Sequence, residues 1–141
     1  MIKKGIVVLL IVLFSSINVS ALENTNIELF DINEGCVVKM IESTPTIQKE
    51  VENSLKGITG LFAKFNPIPD KGYMIKIPLE TPVIIKNQWI NTFVDEVVIV
   101  FPEEEKPYLM VFDGKDRTFF FSFKCNIKEL LENMNLTHLQ H

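Results

Sequence analysis

Two runs of mostly apolar and β-branched side chains, Ile27–Asn33 and Cys36–Glu42, flank Glu34-Gly35. A glycine in so short a link predicts a β-hairpin. From Pro45 the period changes. Apolar residues fall at Ile47, Val51, Leu55, Ile58 and Phe62, while Gln48, Lys49, Glu50, Glu52, Asn53 and Lys56 take the opposite face. This spacing predicts one long helix, capped by Thr44, opened by Pro45 and stopping between Gly57 and Gly60. Leu61–Phe65 then predicts a short strand. Tyr73, Ile75, Ile77 and Leu79 alternate with Met74, Lys76, Pro78 and Glu80, the mark of a half-buried strand with Pro78 at an edge or bulge. Val83–Lys86 is a further short run, and Val94–Phe101, Tyr108–Asp113 and Thr118–Lys124 predict three successive strands. Asn126–Met134 reads as a short closing helix capped by Asn126, and Asn135–His141 is expected to fray.

The order hairpin, helix, antiparallel strands, helix predicts an α+β fold: one long helix packed on a curved antiparallel sheet, similar to cystatin in outline, with a short C-terminal helix. Hairpin-length links exclude a doubly wound parallel sheet. The last three strands lack alternating polarity: Val97, Ile99 and Phe101 lie on one face and Val98 and Val100 on the other, and Phe119, Phe121 and Phe123 oppose Phe120. Such a sheet must be covered on both faces. The helix can cover one. The expectation for the other is the N-terminal hairpin folded over it, with a second protein as the alternative.

The N-terminal residues bear on location. Lys3 and Lys4 precede an unbroken apolar run, Gly5–Phe14, and Val19-Ser20-Ala21 places small or β-branched residues at positions −3 and −1 of a cleavage site. This predicts a signal peptide over residues 1–21 and a single domain over 22–141, secreted or extracytoplasmic. Ten apolar residues fall short of the about 20 that cross a bilayer, so no stable membrane insertion is expected after cleavage. The leader holds two of the 14 basic residues and none of the 18 acidic ones, which leaves 12 against 18, a net charge of −6. That balance argues against nucleic acid and anionic membranes as partners and weakly favours a cationic one. Cys36 and Cys125 would form one disulfide in an oxidising compartment, or remain two buried thiols.

Candidate chemistry is sparse. The two histidines, His138 and His141, lie in a tail expected to fray, where a general base cannot be held in place, and no cysteine or carboxylate is spaced to complete a metal site. No catalytic residue, metal or cofactor is therefore assigned. Asp95-Glu96 at the start of a strand reads as a strand end meeting solvent, Glu103-Glu104-Glu105 between prolines as a solvated turn, and Asp113-Gly114-Lys115-Asp116 as a hairpin turn rather than a calcium loop. The amide-rich stretch Asn87-Gln88-Trp89-Ile90-Asn91-Thr92 offers Trp89 as a stacking face with Asn87 and Asn91 as flanking donors. Tyr73, next to Pro67-Ile68-Pro69, offers a second aromatic contact.

Phe65–Glu80, Trp89-Ile90-Asn91, Val94–Val97, Phe101-Pro102-Glu103 and Pro107-Tyr108-Leu109 together resemble small exported proteins of unknown function from Gram-positive bacteria. The resemblance implies no activity, cofactor or catalytic residue. The expected function is an exported, non-enzymatic binding or protein-interaction domain at the cell envelope or outside the cell, with a protein or glycan partner. The alternatives are a small carboxylate-dependent hydrolase using Asp95 or Glu96 with Asp113, and a structural subunit that dimerises through its sheet.

Overall fold

The first hairpin forms as its sequence dictates. In the computed structural model, which describes residues 26–62 and 68–139, β1 (Ile27–Asp31) and β2 (Cys36–Ile41) pair antiparallel. The Asp31 carboxylate closes the turn by accepting from the backbone N–H of Asn33 at 2.9 Å and of Glu34 at 3.2 Å. Gly35 supplies the positive φ of 70° that finishes it. The leader predicted over residues 1–21 lies outside the described residues.

The helix α1 (Pro45–Lys56) starts where its cap was expected, with Ile47 N–H donating to Thr44 Oγ1 at 3.2 Å. It ends at Lys56, short of the expected stop between Gly57 and Gly60. Gly57 caps it by donating to Asn53 O at 2.9 Å and Ser54 O at 3.1 Å, and Gly57 O then accepts from Lys124 N at 2.8 Å. A Cβ on Gly57 would sit 2.5 Å from Lys124 O, so only glycine lets the helix end against that strand extension. Ile58 therefore opens β3 (Ile58–Leu61), which pairs with β7.

Beyond it, β4 (Gly72–Lys86) is one strand of 15 residues where two were expected. Its register against β5 (Asn91–Pro102) shifts between Pro78 and Val83, so Pro78 does stand at an irregularity. Gln48 of α1 bridges that irregularity: its Nε2 donates to Pro78 O at 2.9 Å and its Oε1 accepts from Glu80 N at 3.1 Å. Next come β6 (Tyr108–Phe112), β7 (Thr118–Phe123) and α2 (Ile127–Asn133), which is capped by Asn126.

The seven strands form one sheet in the order β2-β1-β4-β5-β6-β7-β3, with antiparallel neighbours throughout. Of the described residues 49% are strand and 20% helical, with two short helices. This overturns the expected fold class. No long helix packs on a cystatin-like sheet; α1 has 12 residues and serves a mainly antiparallel β fold. The periodicity misled because Ile58 and Phe62 keep helical spacing after Val51 and Leu55 although Gly57 has already broken the helix.

Both sheet faces are apolar, as expected, but the cover differs. One face packs under the helices, with Ile75, Ile99, Leu109 and Phe121 buried together with Ile47, Val51, Leu130 and Leu131. On the other, Val98, Val100 and Tyr108 pack with Met74, Met110, Phe120 and Phe62, whose ring stacks on Tyr108 at 4.0 Å. The N-terminal hairpin does not fold over this face; it extends the sheet at its β2 edge. Burial of Tyr108, and then the charge of Glu105, push its phenol from 10.0 up to about 12. A phenol ionises more easily in the unfolded chain, so its contribution to stability is whole below about pH 10 and is lost as pH rises through about 12. Tyr108→Phe should flatten the alkaline fall in melting temperature over that window; an unchanged fall would assign it to other groups.

The chain end corrects another expectation. Residues 137–139 form a 3₁₀ turn, and Leu136 and Leu139 are buried in the main core. Leu136 N–H reaches back to Leu131 O at 2.8 Å after Asn135 turns the chain at φ 61°. His138 is thereby held in place, while His141 lies outside the described residues.

Cys36 and Cys125 are both free thiols, the first exposed on the edge strand β2 and the second half-buried beyond β7. Burial raises the Cys125 pKa; a hydrogen bond with Ser54 opposes that, and the charges of Glu50 and Glu129 add to it. Timed alkylation followed by peptide mapping should find Cys36 modified well before Cys125.

Candidate functional site

The expected binding residues fall at two ends of β4, with Asn87, Trp89 and Asn91 at one and Tyr73 at the other. Asn87 is consumed by its own turn, where its Oδ1 accepts from the N–H of Trp89 at 2.8 Å and of Ile90 at 2.9 Å. Trp89 is half-buried against the core, its ring 5.9 Å from that of Phe121. Asn91 pairs with Lys86 where β5 begins. Tyr73 stands at the opposite end of β4, on the order of 40 Å of strand away. The Trp89 stretch is a turn against the core, in which the Asn87 side chain and the Trp89 ring are engaged and Asn91 is exposed.

Of the carboxylates in the hydrolase alternative, Asp95 is exposed to solvent and the other two are engaged. Glu96 lies 3.7 Å from Lys76 Nζ, which is also 3.7 Å from Glu28, a ladder across three strands. Asp113 Oδ1 accepts from the N–H of Lys115 at 2.8 Å and of Arg117 at 3.0 Å, and Oδ2 from Arg117 Nε at 2.7 Å. Burial alone would raise its pKa, but these bonds to Arg117 and Lys115 prevail and hold it below the usual carboxylate range.

Tyr73, however, belongs to a cavity that sequence reasoning missed. Where β4 begins and β5 ends, Gly72 pairs with Pro102. Gly72 has φ 128°, and a Cβ there would sit 2.2 Å from Phe101 O. Its carbonyl accepts from Ile32 N at 3.0 Å and its N–H donates to Asn33 Oδ1 at 3.1 Å. Glu103 N–H bonds Lys71 O at 3.3 Å. One glycine thus ties together the β1–β2 turn, the start of β4 and the acidic loop 103–105.

Three adjoining cavities open at this end of the sheet. The first, 390 Å³, is lined by Asp31, Asn33, Glu34, Gly72, Tyr73, Phe101, Glu103, His138 and Leu139. Within it the ring of His138 stands edge-on to Tyr73 at 6.3 Å. The second, also 390 Å³, is a trough between the loop and α2, with Phe101, Pro102, Pro107, Ile127, Leu131 and Leu139 as its floor and Glu103, Glu104, Glu105 and Lys106 as its rim. The third, 360 Å³, adds Pro69, Asp70 and Lys71. Glu103 lines all three. Around them stand six carboxylates (Asp31, Glu34, Asp70, Glu103, Glu104, Glu105) and two lysines (Lys71, Lys106).

Among the described residues no hydroxyl nucleophile other than the Tyr73 phenol and no thiol lines the first cavity, and no group of three His, Cys, Asp or Glu could hold a metal ion. The arrangement presents a strong negative potential over apolar carbon, which suits binding. A larger groove of 550 Å³ lies between α1 and β4, where Gln48, Lys49, Glu52 and Lys56 are already paired and Glu80 and Thr81 are exposed. Gln48 holds the β4 backbone, and Lys56 at 2.8 Å and Lys49 at 3.5 Å both pair with Glu52, lowering its pKa. Glu103 and Glu104, like Glu80, are exposed and form no ion pair among the described residues.

Comparison with known proteins adds no relative: no family model matches the chain, and no curated protein or solved structure does. The site is read from its own geometry. Two signals in the sequence could have found it. Leu136 and Leu139, three residues apart after an asparagine, suggest a docked turn. The acidic run directly follows Phe101-Pro102, the end of the most apolar strand.

Proposed function

We propose that the protein is an exported, non-enzymatic binding domain that engages its partner through the acidic end of the sheet. The supporting observation is the convergence of three cavities on Glu103, where Glu103 and Glu104 form no ion pair among the described residues and stand beside an apolar floor. Export rests on the leader-like residues at the start of the chain; among the described residues no helix is long and apolar enough to cross a membrane.

Affinity capture from envelope and extracellular fractions, with wild type and Glu103→Gln/Glu104→Gln as parallel baits, tests the reading. The expected result is a partner retained by wild type and lost from the variant. Identical captures from both baits would remove the acidic end from the function.

Exposed Val37, Val38 and Met40 on the edge strand β2 favour a second reading, a subunit that pairs with its own copy. Sedimentation over rising concentration tests that, and a monomer throughout sets it aside.

A further inference from the structure

We infer that the occupant of this end is a basic peptide segment, in which an apolar side chain enters the trough between the loop and α2 while flanking lysine or arginine side chains meet Glu103, Glu104 and Glu105. The inference rests on the binding reading above and specifies its ligand class. The trough carries the argument. Phe101, Leu131 and Leu139 anchor its floor in the main core, and the half-buried Pro107 and Ile127 present apolar carbon to an occupant. A cavity of 390 Å³ accepts one or two apolar side chains.

The rim sets the charge. Three successive glutamates line the trough beside a single lysine, Lys106, so an acidic or neutral segment would leave this potential uncompensated. The neighbouring cavity extends the pattern. It shares Phe101, Glu103 and Leu139 with the trough and offers the Tyr73 ring together with Asp31 and Glu34. Carboxylates beside an aromatic ring suit a further cationic side chain. Alternate residues of an extended strand point the same way at about 7 Å intervals, which lets one peptide place two side chains in adjoining cavities. A bare polyamine would satisfy the rim and leave the apolar floor unused, and anionic lipid or nucleic acid would be repelled.

The test is fluorescence anisotropy of a labelled peptide, Gly-Lys-Lys-Leu-Lys-Lys-Gly, titrated with the full chain at low salt. Wild type should bind it. Glu103→Gln/Glu104→Gln should weaken binding by about three- to tenfold. A peptide with the leucine replaced by glycine should weaken it comparably, and added salt should weaken it further. Glu52→Gln/Glu80→Gln, which removes the same formal charge beside the α1 groove, should leave binding unchanged, and thermal melts should show both variants folded.

Three results would overturn the inference. Equal binding of the leucine and glycine peptides, with spermine competing as well as either, would reduce the site to a cation surface. Loss of peptide binding altogether, while affinity capture still depends on Glu103 and Glu104, would refute the peptide chemistry and leave the site standing. Equal affinity of wild type and Glu103→Gln/Glu104→Gln would overturn the site as well.

Discussion

Phe121→Ala is expected to lower the unfolding free energy by about 3–5 kcal/mol, the range for truncating a buried phenylalanine. Phe121 is fully buried in the central part of β7, where its backbone pairs with Leu109 on one side and Leu61 on the other. Its ring lies between those of Phe119 and Trp89, each 5.9 Å away. The cavity left by truncation would therefore open in the middle of the helix-covered core, with aromatic neighbours too rigid to collapse into it. Urea denaturation measures the loss, and Trp89 fluorescence reports it locally. Glu104→Ala, on the exposed loop, should stay within about 0.5 kcal/mol. If the two variants melted alike, the assignment of inside and outside along β5–β7 would be wrong.

Gly72→Ala should be the most damaging small substitution, at about 2–4 kcal/mol. Its φ of 128° is one that residues bearing a Cβ rarely adopt, and the new methyl would meet the carbonyl oxygen of Phe101 at 2.2 Å and Pro102 Cα at 3.1 Å. Both obstacles are backbone, so relief requires β4 and β5 to part at their paired ends. The hydrogen bonds to Ile32 and Asn33 would be strained by the same movement. Thermal melts should show the loss, and peptide binding should weaken beyond what the melting shift explains, because the acidic loop hangs on this point. Gly114→Ala is the matched control: nothing lies within 4 Å of its Cβ position, and it should be near neutral.

Much of the sheet was legible in the sequence. The hairpin at Glu34-Gly35, the three late strands, the caps Thr44 and Asn126 and the irregularity at Pro78 all follow from local chemistry, where one or two residues decide the outcome. The long helix was not legible correctly. Gly57 ends α1 for a tertiary reason, the approach of Lys124 from β7, which no window of local sequence contains. The same limitation explains the site. Tyr73, Asp31, Glu103 and His138 come from four separate parts of the chain, and only the strand order together with the docked tail brings them to one cavity. Trp89 and Asn87 drew attention by composition, but their side chains are committed to a turn and to the core.

The route of the chain through the sheet has a consequence for how the protein folds. β2 forms one edge and β3 the other, and α1 carries the chain from the first to the second across the buried face. Strands β4 to β7 are joined by short turns and pair with their sequence neighbours, so they can assemble locally. The N-terminal third must wait for partners far along the chain: Leu29 pairs with Ile75, 46 residues later, and Ile58 with Phe123, 65 residues later. The first hairpin can therefore join the sheet once β4 has been made, whereas β3 waits for β7, and the sheet's β3 edge is the last to close.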